Sequence, residues 1–188
     1  ILLSLALIAT VTATPLNAVV RDSASCQPCN PQGATGSNPP DVGSDLDSMY
    51  IDLLGSVKDI HFETRSLKTN VEARDTNLCC RETLDCVNVQ NFNIPMCYDK
   101  FTTNFQFADG SYGSLTTGEY NDEDGSKANL ITGEYTKANG ETGDIYSADP
   151  AAKPNTATLS IPPQWTGTGV GTPIPPTEIA STLPQTAS

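Results

Sequence analysis

From Asp109 onward the chain repeats itself every fifteen residues. Asp109-Gly110-Ser111, Asp124-Gly125-Ser126 and Asn139-Gly140-Glu141 recur at that interval, as do Leu115, Leu130 and Ile145. The tetrapeptide Thr-Gly-Glu-Tyr stands at 117–120 and again at 132–135, and the third copy breaks off after Tyr146. Asp-Gly and Asn-Gly are hairpin-turn pairs because both residues tolerate positive φ. Each unit therefore has room for two short strands, two turns and one apolar residue pointing inward. Two and a half such units bury too little to stand alone. They are expected to extend a sheet begun just upstream, which restricts the fold to a mainly β architecture, a β-meander or a short β-solenoid.

The upstream sequence supplies that sheet. Cys86-Val87-Asn88-Val89 alternates as a strand does, with Pro95 expected at its turn or edge. Phe101, Thr103, Phe105 and Phe107 are spaced by two and are expected on one face of a second strand, half-buried. Further back, Ser44 with Asp47 three residues on offers a variant capping box. Leu46, Met49, Tyr50, Leu53, Val57 and Ile60 then follow at helical spacing, predicting one amphipathic helix over about 45–61. Residues 22–43 read as a Pro/Gly-rich arm and 63–77 as a polar connector.

Two features set the compartment. The opening run ILLSLALIATVTA is uncharged, apolar and too short to span a bilayer, and it ends in small residues. It reads as the core and cleavage zone of a secretory signal peptide at 1–18, cut after Ala13 or Ala18 and lacking its basic start. Export places the six cysteines, Cys26, Cys29, Cys79, Cys80, Cys86 and Cys97, in an oxidising medium, where they are disulfide candidates. Neighbours Cys79 and Cys80 are expected to bridge to different partners. Of about 15 connectivities, the expected one joins Cys86 to Cys97 and ties Cys26 and Cys29 to Cys79 and Cys80. Cys26-Gln27-Pro28-Cys29 has the outward form of a redox motif, but no strand precedes it and no helix follows to lower a thiol pKa. The cysteine spacing fits no compact zinc site.

Charge and composition exclude several functions. A net charge of -12 repels phosphate backbones, so nucleic acid is not an expected partner. Between 109 and 149 nine acids face only Lys127 and Lys137. Asn121-Asp122-Glu123-Asp124-Gly125 lacks the spaced acids and closing Glu of a calcium loop and reads as a solvated acidic turn. His61 is the single histidine and no Gly-x-Ser-x-Gly elbow occurs, so no nucleophile-and-base set is assigned. Glu119 and Glu134 occupy a repeated, hence structural, position, although a carboxylate pair for glycoside hydrolysis is a spatial arrangement that sequence does not exclude. No catalytic, cofactor-binding or metal-ligating residue is assigned, and no cofactor is expected. Tyr112, Tyr120 and Tyr135 are the candidates for a ligand-contact face.

After 147 the pattern dissolves. Eight prolines and eleven Ser/Thr residues fill the last 41 positions, which read as a disordered stalk of the type that carries O-linked sugars. Within it, residues 156–161 could form a last strand, with Trp165 packing back. The domain plan is thus a leader at 1–18, a cysteine-rich repeat domain at 22–147 and a stalk at 148–188.

The block from Cys79 to Tyr120, CCRETLDCVNVQNFNIPMCYDKFTTNFQFADGSYGSLTTGEY, resembles one found in uncharacterised fungal secreted proteins, in which such repeats and a Thr/Ser-rich stalk follow. The likeness runs from about Cys26 to Thr172. It implies a glycolipid anchor attached to a tail beyond Ser188, and membrane association through that anchor alone. Hydrophobins and the eight-cysteine haem-scavenging domains are similar only in being fungal and cysteine-rich. The expected role is structural or contact-making at the cell surface or wall, without enzymatic activity. A soluble secreted module binding a polysaccharide or a host protein is the alternative, and a carboxylate glycoside hydrolase the second. Wall polysaccharide and surface proteins are the expected partners; oligomeric state is left open.

Overall fold

The fifteen-residue period becomes an antiparallel meander in which each strand pairs with the next. A computed structural model of the chain describes residues 26–60, 78–165, 167 and 171–182. The leader, His61, the connector at 63–77 and residues 183–188 lie outside the described residues. Strands β1 (Cys26–Pro28) and β2 (Leu78–Arg81) flank helix α1 (Met49–Val57) in the chain. Strands β3 (Asp85–Val89), β4 (Ile94–Asp99), β5 (Asn104–Gln106), β6 (Tyr112–Ser114), β7 (Glu119–Asn121), β8 (Lys127–Asn129), β9 (Glu134–Thr136) and β10 (Thr142–Asp144) form one eight-stranded sheet in chain order. The sheet is open, so the meander holds and the solenoid alternative does not. Strand β11 (Ala180–Thr182) pairs with β2, and β2 with β1, in a second sheet of three.

The helix is shorter than its apolar stripe. Bonds from Leu46 N to Gly43 O and Asp47 N to Ser44 O tighten the start into a 3-10 turn at Ser44–Leu46, and the α-helix begins only at Met49. Ser44 therefore caps no α-helix. The stripe itself is as expected: Leu46, Met49, Tyr50, Leu53 and Val57 are buried. They share one core with Val87, Val89, Met96, Tyr98, Phe105 and Tyr120 from one face of the large sheet.

Of the two places expected for Pro95 the structure takes the edge, and the second strand needs correction. Pro95 lies inside β4, opposite Asn88, rather than at a turn. It is tolerated there because the β5 ladder reaches β4 only at Cys97, leaving Pro95 with a strand on one side alone. The second strand does not run from Phe101 to Phe107. Thr103, at φ 60°, turns the chain between β4 and β5, so only Phe105 of that series is within the strand.

That turn shows where the repeat begins. Leu115 N bonds to Thr103 O, Leu130 N to Gly118 O and Ile145 N to Gly133 O, at 3.0, 2.7 and 2.8 Å. The acceptors are fifteen residues apart and all have positive φ: 60°, 74° and 91°. The Asp-Gly turns repeat equally, with Phe107 N to Ser111 O, Asp122 N to Ser126 O and Lys137 N to Glu141 O at 2.8–2.9 Å. Three full units therefore occupy 97–111, 112–126 and 127–141, and a fourth starts at Thr142. The first copy is disguised because Thr102-Thr103-Asn104-Phe105 replaces Thr-Gly-Glu-Tyr.

The segment from 148 is not a free stalk over its described part. Lys153 Nζ donates to Thr132 O (2.7 Å), Thr116 Oγ1 to Pro162 O (2.7 Å), Gln164 Nε2 to Thr102 O (3.0 Å) and Trp165 N to Phe101 O (2.7 Å). Residues 153–165 thus run as a strap back along equivalent turns of successive repeats. Leu159 and Ile161 rest on the core, and the Trp165 ring stands edge-on to Phe101 at 6.4 Å. Residues 156–161 make a turn at Asn155–Thr158, not a strand; the extra strand is β11. Prolines limit the entropy lost when such a segment is fixed, so a few contacts suffice. Ile179, fully buried, anchors the far end. Ile179→Ala is expected to cost about 2–4 kcal/mol and to open residues 171–182 to limited proteolysis before 98–146 is cut.

Candidate contact face and cysteine cluster

Register decides what each face of the large sheet presents. Tyr98, Phe105, Gly113, Tyr120, Ala128, Tyr135 and Gly143 stand directly opposite one another across successive strands. This row lies on the helix side. Gln106, Tyr112, Asn121, Lys127, Thr136 and Thr142 form the matching row on the reverse side. Since side chains alternate along a strand, Tyr112 points away from Tyr120 and Tyr135. The three tyrosines therefore do not make one contact face. Tyr120 is 1% exposed, stacked at 6.5 Å on Phe105, while Tyr112 and Tyr135 are half-buried.

The reverse side is polar and, away from β3–β5, largely open. Glu119, Lys127, Glu134, Thr136 and Thr142 are exposed on it, with Asn121 and Asn129 half-buried. Glu119 and Glu134 recur every second strand, about 9.5 Å apart, on one face of an open sheet. They do not face each other across a cleft.

The acids of the turns are spent on the turns. Asp109 Oδ1 accepts from Ser111 N (2.9 Å) and Ser111 Oγ (2.6 Å). Asp124 accepts from Ser126 N (2.6 Å) and Ser126 Oγ (2.9 Å), and Asn139 Oδ1 from Glu141 N (2.9 Å). Those donors hold the Asp124 carboxyl below its ordinary pKa. Burial raises that of Asp122, reinforced by the nearby charges of Asp124 and Asp109. Asp85 is also raised by burial, against the pull of Lys100 at 3.7 Å. Lys137 is raised by Glu141, which its Nζ meets at 3.2 Å.

At the other end of the sheet all six cysteines are paired. Cys26–Cys79 links β1 to β2, Cys29–Cys86 links the residue after β1 to β3, and Cys80–Cys97 links β2 to β4. Cys79 and Cys80 do bridge to different partners, and the Cys26–Cys29 motif is split between two structural bonds. The expected Cys86–Cys97 bond is absent. Those residues are directly opposed in the β3–β4 hairpin, but the small sheet lies over this face and its sulfurs claim both. Cys29, Leu78, Cys80, Cys97 and Ile179 make a second core there, and Gln106 Oε1 accepts from Ala180 N at 2.7 Å.

The sulfurs of Cys29, Cys80 and Cys97 lie within 4.8 Å of one another, all buried. Such spacing resembles a soft-metal ligand set, yet metal binding needs thiolates and these sulfurs are oxidised. Spacing along the chain gave no sign of this cluster, which depends on the small sheet lying over the large one. Beside it, Arg81, Thr83, Thr172, Ile174 and Glu178 line an open groove, with Arg81 and Glu178 paired at 3.9 Å. Among the described residues no helix is long and apolar enough to cross a membrane. No family model matches the chain, and neither a curated protein nor a solved structure is found to match it.

Proposed function

We propose that this chain is a non-enzymatic protein of the cell surface or wall, acting through contact rather than chemistry. The observation that carries the reading is that all six cysteines are spent on disulfides, two of which tie one sheet to the other. Such construction belongs to oxidising, extracellular surroundings, in keeping with the apolar leader. The contact surface is the open reverse side of the repeats, where amide, hydroxyl and carboxylate groups recur with the strands. A polar, wall-forming polysaccharide is the partner this chemistry fits. Thr156, Thr158 and Ser160 on the strap, and Thr172 and Thr177 beyond it, are exposed and are the sites for O-linked sugar, and a glycolipid anchor on a longer precursor would hold the protein at the surface.

The test expresses the full precursor with an internal epitope in a fungal host and fractionates cytosol, wall and medium. Recovery from wall or medium, with sensitivity to O-glycan removal, is expected. Accumulation in the cytosol with reduced cysteines overturns the reading. Purified protein is then mixed with insoluble chitin and β-glucan. Retention lost in the double variant Asn121→Ala/Thr136→Ala supports the polysaccharide, whereas retention unaffected by that variant, or none, removes it.

A further inference from the structure

We propose that Cys29–Cys86 and Cys80–Cys97 form one exchangeable unit, entered at Cys86 by a small thiol, whose second pairing is Cys29–Cys80 with Cys86–Cys97. Three placements carry this. Cys86 is exposed, whereas Cys29, Cys80 and Cys97 are buried. The sulfur of Cys29 lies within 4.8 Å of those of both Cys80 and Cys97 although it is bonded to neither. Cys86 and Cys97 are cross-strand partners, and such partners have Cα atoms about 4.5–5.5 Å apart, inside the span of about 4.4–6.8 Å that a disulfide needs.

The exchange balances without net oxidation. A thiolate attacks the Cys86 sulfur, forming a mixed disulfide and expelling Cys29 as thiolate. Cys29 attacks the Cys80 sulfur, forming Cys29–Cys80 and expelling Cys97. Cys97 then attacks the Cys86 sulfur, forming Cys86–Cys97 and returning the small thiolate. Two disulfides are present before and after, and the thiol is a catalyst.

The consequence is mechanical. In the native pairing both bonds tie the small sheet to the large one. In the second pairing Cys29–Cys80 closes within the small sheet's strands and Cys86–Cys97 within the β3–β4 hairpin. Apart from the chain itself, which passes from β2 to β3 through residues 82–84, the sheets are then joined by non-covalent contacts, those of Leu78 and Ile179 and the Gln106–Ala180 bond. A thiol reaching Cys86 thus loosens the β1–β2–β11 layer without unfolding the repeats.

The test incubates the intact oxidised protein with catalytic reduced glutathione at neutral pH, quenches with acid and digests with pepsin to cleavage near both Leu84 and Phe92. In the native pairing the peptides holding Cys26/Cys29, Cys79/Cys80, Cys86 and Cys97 form one linked cluster. After exchange the Cys86 and Cys97 peptides leave as a separate linked pair. Appearance of that pair without loss of total disulfide is the expected result. Persistence of the single cluster overturns the proposal, as does its appearance only under conditions that also unfold the repeats. Cys86→Ser gives a second reading. Alkylation after denaturation should find its one free thiol spread over Cys29, Cys80 and Cys97, and a thiol confined to Cys29 overturns the relay. Should that variant not fold, the glutathione experiment on the natural chain decides.

Discussion

Gly113→Ala is expected to destabilise the protein by about 3 kcal/mol or more, beyond the usual cost of overpacking. Gly113 stands between Phe105 and Tyr120 in the aromatic row. An added Cβ would meet Phe105 Cζ at 2.6 Å and press against the backbone oxygen of Glu119. The ring cannot turn aside cheaply, because it packs against Phe107 at 5.6 Å and on Tyr120 at 6.5 Å. The Glu119 carbonyl belongs to β7, so relief requires moving a strand. For a domain of this size that loss lowers the melting temperature by about 6–12 °C. The repeat supplies the control. Ala128 occupies the same slot one unit on, between Tyr120 and Tyr135, so that copy already holds a methyl group. Ala128→Gly should cost no more than about 1 kcal/mol. Equal effects of the two changes in thermal unfolding would mean that the aromatic-over-glycine contact does not control the sheet.

The same slot shows what the sequence made legible. Period and turn dipeptides were enough to place β6 to β10, the inward Leu115, Leu130 and Ile145, and the attachment of the repeats to an upstream sheet, because those signals are local. The first repeat was hidden because Thr103 does by side-chain bonding what Gly118 and Gly133 do by lacking a Cβ. Its Oγ1 bonds Thr116 Oγ1 at 2.8 Å and Ser114 Oγ at 3.3 Å, a buried network that offsets a β-branched residue at positive φ. Cys26–Cys79 and the separate partners of Cys79 and Cys80 stand as expected, and the Cys86–Cys97 expectation fails for a related reason. Cys86 and Cys97 are neighbours along the hairpin, but the deciding contact is between layers, which no spacing within one hairpin encodes. The strap misled through composition. Its Pro/Thr content is that of an unpacked stalk, and four hydrogen bonds with a few apolar contacts reverse the outcome. The contact face fails on parity and on burial: Tyr112 and Tyr120 are eight residues apart with a turn between them, the register sets them on opposite sides, and Tyr120 is taken into the core.

Raising the pH above 10 is expected to unfold the protein cooperatively. Four of its six tyrosines are held neutral by their surroundings. Burial pushes the Tyr50 phenol up to about 12, and burial pushes Tyr98, Tyr120 and Tyr146 further, with Asp99 beside Tyr98 and Asp144 beside Tyr146 adding to the shift. Two of the hydroxyls also serve the repeats. Tyr50 donates to Leu115 O at 2.7 Å and Tyr146 to Leu130 O at 2.5 Å, equivalent carbonyls fifteen residues apart. A phenolate can donate to neither. Because the folded pKa values lie above the unfolded value of 10.0, the stabilisation is complete below pH 10. It is lost as pH rises toward the folded values, by about 1.4 kcal/mol per pH unit for each tyrosine. Denaturant titrations between pH 8 and 12, with tyrosinate absorbance recorded alongside, check this. Absorbance and loss of fold should rise together. Four tyrosines ionising gradually near 10 in a still-folded protein would remove the argument. Tyr50→Phe separates the two roles of that residue. At pH 8 it should cost about 1–3 kcal/mol, the penalty for a buried carbonyl left without its donor. Above pH 10 it should make the decline shallower by one tyrosine's share, because a ring that cannot ionise no longer couples folding to proton loss.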